Sequence, residues 1–415
     1  MNETVIVAAD CATPLGLDAA TTWNQLTSQR SGIVPITRFD PHSEPFKGLP
    51  SITHAGQLPC SYSDLAGSIN KYHKYPEPIF HSIEPVCKRA LNSIEFNISH
   101  HDPQRIAIIG GTALASQVSR HELDSTKHPY VSFLLGQCQN VPLTLAGQAF
   151  GFRGPCLSIN SACASSGHAV FLACALMTSG VIDCALIIGH EFPLAPACVA
   201  GFDWLTALFK WGKQDDRSSL DPQSASRPFS IDRKGFVLAE GVAALFLTNK
   251  EYAAKMNWPI QGTILGMYSN SDGEHFTRSS TLNVASCITG VLRAAGLSPR
   301  DIHCISAHAT STPTGDQSEL FALKAVFGEH LTSVPIMANK SQLGHSLGAS
   351  FALQTVIAVN ALRDGLILPT LHYVPDPSLP DAWICKNTME HPLSTCLLNS
   401  FGFGGTNLSM LLGSA

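Results

Sequence analysis

The chain has 415 residues, which is enough for one large domain or for two halves that share a core. Only 14% of the residues are charged and 45% are hydrophobic, so we expect extensive burial and an oligomer. The net charge of −5 excludes a global basic field, and we therefore expect no nucleic-acid partner.

The chain contains no recognisable metal, nucleotide, disulfide or membrane motif. Its 13 cysteines are irregularly spaced, without a C-x-x-C pair or a zinc-type Cys/His cluster, and their odd number argues against a closed disulfide framework. A reducing cytoplasm fits this pattern. No basic segment precedes the first apolar stretch, so we predict a strand there and not a signal peptide. The longest apolar stretch, residues 169–188, is interrupted by polar residues and predicts a helix and a strand, with no membrane span.

Apolar strands and helical segments alternate along the chain. In the first half we predict strands over residues 5–8, 105–110 and 184–189, helices over 19–29 and 167–179, and a strand pair over 237–247. In the second half we predict strands over residues 260–269, 302–307, 334–338, 396–399 and 409–412, and helices over 285–295, 317–327 and 348–363. Continuous apolar strands with interleaved helices predict an α/β protein whose sheets are covered on both faces. We place the boundary between the halves at residue 250, giving 1–250 and 251–415.

One cysteine and two histidines lie in tight segments of small residues. Cys163 follows an apolar strand and precedes a helix start, where the partial positive charge of the helix terminus is expected to lower the pKa of the thiol. His308 lies in the segment Ala-His-Ala-Thr-Ser-Thr-Pro, and His345 ends the segment Asn-Lys-Ser-Gln-Leu-Gly-His. A cysteine with two histidines on such loops predicts an acyl-transfer site.

Six segments in this order resemble the motifs of a known enzyme family. They are residues 151–155, 161–165, 226–236, 308–316, 340–345 and 399–407. Together they resemble the elongating β-ketoacyl-acyl-carrier-protein synthases, which are condensing enzymes of the thiolase superfamily, over essentially the whole chain. Ala309 departs from the pattern, because the family usually has glycine there.

The resemblance implies both a fold and a reaction. The fold is a thiolase-like, five-layered αβαβα arrangement of two related halves, usually dimeric. The reaction is a decarboxylative Claisen condensation, in which malonyl-ACP extends an acyl chain by two carbons to give a 3-oxoacyl-ACP. The acyl groups are carried on the phosphopantetheine of acyl carrier protein (ACP), so the resemblance implies ACP as a partner, no bound cofactor and no metal.

The resemblance also assigns roles to the residues of the first half and of the histidine loops. Cys163 would be the nucleophile, and His308 and His345 would each donate one N–H, as neutral imidazoles, to the enolate oxygen. Lys340 would support the histidines, with Asp316 and Glu319 as its candidate acidic partners.

Further roles fall on the closing loop and on the entrance. The backbone N–H groups of Phe403 and Cys163 would form an oxyanion hole, and the Phe403 ring could control entry to the acyl pocket. Thr310 and Thr312 would contact the pantetheine arm. Because ACP is acidic, we expect basic residues at the entrance, and the candidates are Lys71, Lys74, Lys210, Lys213 and Arg217.

Three alternatives remain at this point. The chain could be the ketosynthase subunit of a type II polyketide system, a heterodimer with a chain-length-factor paralogue in place of a homodimer. It could be the non-catalytic chain-length partner, although such subunits typically lack the cysteine. It could also be a thiolase or an initiating synthase that uses acyl-CoA. Thiolases have a second cysteine near the C-terminus, which the closing loop lacks, and initiating synthases pair His with Asn.

Overall fold

A computed structural model describes residues 3–40, 53–60, 78–114, 138–211, 221–273 and 279–415. The strands of the first half are β1 (Thr4–Ala12), β2 (Ile33–Pro35), β3 (His54–Gly56), β4 (Ile106–Gly111), β5 (Cys156–Ile159), β6 (Cys184–Glu191) and β7 (Gly241–Asn249). Those of the second half are β8 (Gly262–Ser271), β9 (Cys304–Ser306), β10 (Pro335–Met337), β11 (Leu366–Ile367), β12 (Trp383–Ile384), β13 (Met389–Glu390), β14 (Thr395–Gly402) and β15 (Thr406–Gly413).

The α-helices of the described residues alternate with these strands. In the first half they are α1 (Ala19–Thr27), α2 (Pro78–Asn92), α3 (Val141–Phe150), α4 (Ser165–Thr178) and α5 (Pro196–Trp204). In the second half they are α6 (Lys250–Met256), α7 (Thr281–Ala295), α8 (Pro313–Phe327), α9 (Lys340–Leu343) and α10 (Ser350–Asp364). Among the described residues, none of these helices combines the length and the apolar character needed to cross a membrane.

Eleven of the described strands form one large mixed sheet built from two halves of the same design, and the other four form the two small pairs β2-β3 and β11-β13. The order of the large sheet is β12-β10-β9-β14-β15-β8-β1-β7-β6-β4-β5. In the first half, β4 runs parallel to β5 and β6, and β7 runs antiparallel to β6 and β1. In the second half, β9 runs parallel to β10 and β14, and β15 runs antiparallel to β14 and β8. A short antiparallel pairing of β1 with β8 joins the two halves.

This internal symmetry positions the predicted site. The turn that carries Cys163 follows β5 and leads into α4. The segment that carries His345 follows β10, the corresponding strand of the second half, and leads into α10. His308 follows β9, which corresponds to β4. The nucleophile and one histidine therefore occupy equivalent places in the two halves.

The buried side chains divide the fold into five layers. One apolar cluster packs α4 and the almost completely buried α10 between strands of both half-sheets. A second cluster packs α2 and α3 on the outer face of the first half-sheet. A third packs α7 and α8 on the outer face of the second half-sheet. The layers therefore run helix, sheet, helix, sheet, helix, which is the predicted αβαβα arrangement.

Several local predictions differ from the structure. The predicted strand pair over 237–247 is wrong, because one strand, β7, begins there at Gly241, and Leu238 and Ala239 before it make only isolated bridges. Helices α2, α3 and α5 were not predicted, and the presumed connection near residue 250 contains α6. The described strands of the two half-sheets fall on either side of residue 250, but the division into units 1–250 and 251–415 stays a prediction.

Candidate active site

Cys163 lies in a tight turn between β5 and α4. Ser165 holds this turn, since its hydroxyl accepts the backbone N–H of Ser161 at 2.9 Å and donates to the carbonyl oxygen of Ala162 at 2.5 Å. Ala162 has a φ of +52°, a left-handed conformation that costs a non-glycine residue about 1–2 kcal/mol. The small residues of this segment thus permit a strained turn, which presents the thiol two residues before the helix begins.

The two predicted histidines converge on this thiol. The Nε2 atom of His345 lies 3.1 Å from the Sγ atom of Cys163. The ring of His308 packs edge-on against the ring of His345, with 5.5 Å between the centroids. One nitrogen from each histidine and the sulfur all lie within 4.8 Å of one another. Three segments that are distant in the sequence therefore meet at one sulfur atom.

Both imidazoles are held in their neutral form. Burial, followed by the positive charge of Lys340, lowers the pKa of His308 and of His345 well below the usual value. The Nδ1 atom of each ring is buried and has no hydrogen-bond partner among the described residues. Because no neighbour fixes the proton on Nδ1, the Nε2 atom of His345 can either accept a proton from the thiol or donate an N–H.

The pKa of Cys163 moves opposite to the direction predicted from its helix terminus. Burial raises the pKa of the thiol to about 12, although the charge of Lys340 and the backbone N–H groups of Phe403 and Cys163 lower it in part. The prediction of a lowered pKa is therefore wrong, because the desolvation of a thiolate outweighs the attraction of the helix terminus. The resting sulfur is a protonated thiol, and His345 is the base within reach.

The glycine-rich loop after β14 lies against the cysteine turn. The backbone N–H groups of Phe403 and Cys163 lie near the Cys163 sulfur and lower the pKa of its thiol in part. A Cβ atom at Gly402 would lie 2.8 Å from the carbonyl oxygen of Ser161 and 3.2 Å from the Cys163 nitrogen, so glycine allows this close approach. The Ser400 hydroxyl donates to the Cys163 carbonyl oxygen at 2.9 Å. Two backbone donors beside the nucleophile are what an oxyanion hole requires.

Lys340 is buried directly behind His308. Its ammonium group donates to the carbonyl oxygen of His308 at 2.5 Å and to the Oε1 atom of Gln354 at 3.4 Å. Burial lowers the pKa of Lys340 to about 8, and the carboxylate of Glu319 opposes this shift. Glu319 itself accepts the backbone N–H groups of His308 at 2.9 Å and Ala309 at 2.7 Å. The lysine and the glutamate thus hold the same loop from its carbonyl and its amide side.

The predicted ion pair of Lys340 with an acidic residue is not present. Among the described residues, the ion pairs do not include Lys340 with Glu319 or with Asp316. Asp316 instead accepts the backbone N–H of Phe229 at 2.7 Å, and burial raises the pKa of its carboxyl group to about 7. Both acids are fully buried and bind backbone amides, so they order the loops around the site and act on Lys340 only through space.

A half-open cavity of about 700 Å³ gives access to the thiol. Cys163, His308 and His345 line one part of it, and much of the remaining wall is apolar. Thr310 and Thr312 also line the cavity, with their hydroxyl oxygens 3.2 Å apart. The cavity therefore has room for a linear chain bound at the sulfur, with two hydroxyl groups on one side.

Only one of the five predicted carrier-contact residues lies in the described part of the chain. Lys71, Lys74, Lys213 and Arg217 are outside it. The ammonium group of Lys210 lies 2.6 Å from the carboxylate of Asp203, which balances its charge. The basic entrance stays a prediction.

Family models match both halves of the chain. Residues 1–253 match the N-terminal domain of β-ketoacyl synthases, and residues 261–374 match the C-terminal domain. The chain belongs to the β-ketoacyl synthase family.

Similar proteins align with this synthase over nearly its whole length. It is 30% identical over 420 residues to 3-oxoacyl-[acyl-carrier-protein] synthase 2 of Coxiella burnetii, covering 99% of this chain and 98% of the relative. It is also 30% identical over 418 residues to the chloroplastic 3-oxoacyl-[acyl-carrier-protein] synthase I of Arabidopsis thaliana, covering 98% of this chain and 85% of the relative.

Solved structures show the same fold. A β-ketoacyl synthase from Burkholderia phymatum has a TM-score of 0.85 and 25% identity, with 100% of each chain covered. A chain from a complex of a type II PKS acyl-carrier protein with its ketosynthase bound to the hexaketide has a TM-score of 0.85 and 25% identity, with 100% of this chain and 99% of that chain covered. The predicted thiolase-like fold is thereby confirmed, as is the predicted class: the synthase is an acyltransferase that extends acyl chains by Claisen condensation.

The thiol and the two imidazoles are also atoms that a zinc ion would accept as ligands. The condensation that the family resemblance implies would use the same three side chains without a Lewis acid. The absence of a metal requirement stays a prediction for this synthase.

Sequence reasoning missed three supporting residues. Gln354 contacts Lys340 and donates to the carbonyl oxygen of Ala307 at 2.9 Å, and Ser400 holds the carbonyl of the nucleophile. Glu191 is fully buried at the end of β6 and raises the pKa of Cys163 by its charge. Only Glu191 gave a usable signal, because a carboxylate at the end of an apolar strand needs hydrogen-bond donors around it.

Proposed function

We propose that this synthase extends an ACP-bound acyl chain by two carbons, with malonyl-ACP as the extender and Cys163 as the acyl carrier. One observation carries the proposal: the Nε2 atom of His345 lies 3.1 Å from the Cys163 sulfur, and both residues line a largely apolar cavity. A chain-length partner has no use for a thiol with a base in contact. Cys396, the candidate second cysteine of a thiolase, is fully buried in β14 opposite Cys304.

The first step is acyl loading. The Cys163 sulfur attacks the carbonyl carbon of the acyl thioester, and His345 Nε2 takes the thiol proton. The backbone N–H groups of Phe403 and Cys163 stabilise the oxyanion of the tetrahedral adduct. Collapse of the adduct expels the pantetheine thiolate, which takes the proton from His345 and leaves as a thiol. A neutral resting thiol suits this step, since the negative charge on the sulfur forms only when the acyl thioester is bound.

The second step is decarboxylative condensation. His308 and His345 each donate an N–H to the thioester carbonyl of the malonyl group, while Lys340 holds the backbone of His308. Loss of CO2 leaves the electron pair of the broken C–C bond in an enolate, which the two donors stabilise. The enolate carbon attacks the acyl group on Cys163, a C–C bond forms, and the Cys163 thiolate leaves. This thiolate carries the charge that the malonyl carboxylate brought, and it regains a proton from solvent.

The partners follow from the same chemistry. ACP is the proposed carrier for both substrates, and Thr310 and Thr312 would hydrogen-bond its pantetheine arm. The synthase would need no bound cofactor. We also propose a dimer, either of two copies or with a chain-length-factor paralogue, because the edge strand β5 is exposed at Cys156 and Leu157. Thirteen free thiols support a cytoplasmic location.

The test is intact-mass analysis of the synthase mixed with a series of acyl-ACPs. The wild type should gain the mass of one acyl group, and peptide mapping should place it on Cys163. The Cys163→Ala variant should gain no mass. A wild type that is not acylated by any member of the series, or is acylated on another cysteine, would contradict the proposal.

A further inference from the structure

Glu191 is a fully buried carboxylate that the mechanism above does not use. Its two oxygens accept the backbone N–H groups of Ala113 at 2.7 Å, Leu114 at 2.9 Å and Gly348 at 2.9 Å. The Thr112 hydroxyl donates a weaker fourth hydrogen bond at 3.3 Å. Glu191 thus binds the segment after β4 and the turn before α10, which belong to different halves of the synthase.

Backbone amides supply the positive partial charge that this carboxylate needs. Among the described residues, the ion pairs do not include Glu191. Three convergent N–H groups are the usual substitute for a cation at a buried anion. Burial raises the pKa of Glu191 to about 7, and the hydrogen bonds from Ala113, Leu114 and Gly348 oppose this shift. These contacts are strong because the surroundings exclude water.

The two segments that Glu191 joins are packed without space between them. A Cβ atom at Gly348 would lie 2.3 Å from the backbone nitrogen of Ala113, so the contact admits only glycine. Next to it, Leu347 has a φ of +40°, which a leucine adopts only when its surroundings impose it. The hydrogen bond from the Gly348 N–H to Glu191 is one such constraint.

Both segments contribute side chains to the cavity wall. Ala113 and Leu114 come from one segment, and Leu347 comes from the other. Leu347 and Cys163 belong to one apolar cluster, against which Ala113 and Leu114 pack. His345 lies only two residues before Leu347. The carboxylate therefore lies behind the junction of an apolar wall and the turn that carries the base.

We propose that Glu191 is a positioning residue for the acyl chain, which fixes Leu114 and Leu347 as one wall of the cavity beside Cys163. This inference rests on the proposed acyl loading of Cys163. An acyl chain gains apolar contact with every methylene that packs on a fixed wall, so a displaced wall should weaken long chains more than an acetyl group. Glu191 would act through the wall and would not touch the reacting atoms.

The test compares loading of acetyl-, hexanoyl- and dodecanoyl-ACP by the wild type and by Glu191→Gln, Glu191→Asp and Glu240→Gln. Glutamine has the same shape as glutamate, but its NH2 group would face backbone N–H donors and cannot accept their hydrogen bonds. KM for the long acyl groups should therefore rise about tenfold or more, and KM for the acetyl group should rise much less. Malonyl-ACP decarboxylation by the acetylated enzyme should be nearly unchanged. The Glu191→Asp variant keeps the charge, so its KM for the long acyl groups should lie between those of the wild type and the Glu191→Gln variant. Glu240, buried beside Arg38, is the matched control and should leave the length profile unchanged.

The outcomes separate the possible roles. If the Glu191→Gln enzyme has the wild-type dependence of KM on acyl length, the inference is overturned. It is also overturned if the Glu191→Asp variant has a higher KM for the long acyl groups than the Glu191→Gln variant, because that order indicates that only the volume of the side chain matters. If Glu191→Gln does not fold, Leu347→Ala removes the wall side chain and keeps the carboxylate; it should give the same length-dependent loss, and a uniform loss would overturn the inference. A wild type that loads no acyl group would overturn the proposed function together with the inference.

Discussion

The ammonium group of Lys340 donates a hydrogen bond to the backbone carbonyl oxygen of His308 at 2.5 Å. On the opposite side of this loop, Glu319 accepts the N–H groups of His308 and Ala309. A charged donor and a charged acceptor therefore fix the backbone of one imidazole from two sides. The position of His308 relative to the thiol consequently depends on the charge of a buried lysine.

This arrangement predicts a pH dependence of decarboxylation. Burial lowers the pKa of Lys340 to about 8, so the group is charged below that pH and neutral above it. The rate of malonyl-ACP decarboxylation should therefore fall as the pH rises through about 8. Lys340→Met should be slower by roughly 10–100-fold at neutral pH, because a hydrogen bond to a charged donor contributes about 1.5–3 kcal/mol. The measurement is CO2 release from about pH 6 to pH 10. If the decarboxylation rate of Lys340→Met falls with rising pH as the wild-type rate does, the titrating group is not Lys340.

The two histidines should differ in the step that they support. His308→Ala should load acyl groups normally and decarboxylate malonyl-ACP about 10²–10³-fold more slowly, because one donor to the enolate is lost. His345→Ala should be slow in both steps, since it also removes the base beside a protonated thiol. Stopped-flow mass analysis of loading and CO2 release separate the steps. Equal loading defects in both variants would refute the assignment of the base to His345.

The close approach at Gly402 predicts a loading defect without loss of the thiol. In Gly402→Ala the new methyl group would lie 2.8 Å from the Ser161 carbonyl oxygen, so the loop has to move and the Phe403 N–H leaves the sulfur. Loading should slow by about 10²-fold or more. Gly404→Ala adds a methyl group to the same loop in open space, although its φ of +83° costs about 1–2 kcal/mol of stability. If both variants load equally slowly, strain in the loop and not the oxyanion hole is responsible.

Ala309 provides a test of a departure from the family pattern. Its φ is +24°, and its methyl group is buried. Glycine would relieve backbone strain of about 1–2 kcal/mol, but it loses the buried methyl group and about 0.5–1 kcal/mol of chain entropy. Ala309→Gly should therefore change the free energy of unfolding by less than about 1 kcal/mol and leave decarboxylation unchanged. Urea unfolding and CO2 release measure the two quantities; a tenfold change in rate would show that Ala309 has a role in catalysis.

The central residues could be predicted from the sequence because their signals are local. Cys163 lies between a strand and a helix start, and His308 and His345 each follow a short apolar strand on small residues. The structure brings all three together in the wall of the cavity. The layered α/β fold was predictable for the same reason, since its strands are continuous apolar runs. Helix α2 was missed because it contains Pro85, and α5 because it is short and contains Gly201.

The remaining features depend on contacts between distant residues. Glu191 binds Ala113 and Gly348, which are 78 and 157 positions away. The pKa of Cys163 depends on how completely the fold buries the sulfur, which no local pattern reports. The partners of Lys340 were predicted to be acids, but the observed partner is a carbonyl oxygen, because the carboxylate of Glu319 already accepts backbone amides.

The central claim is that an acyl group on Cys163 receives the carbon chain of a decarboxylated malonyl group. The most direct measurement is a single turnover of acyl-loaded synthase with carbon-13-labelled malonyl-ACP, followed by mass analysis of the carrier. We predict one 3-oxoacyl-ACP and one CO2 for each acyl group lost from Cys163, and no product from Cys163→Ala. Release of CO2 without loss of the acyl group from Cys163, or product formation by the alanine variant, would contradict the account.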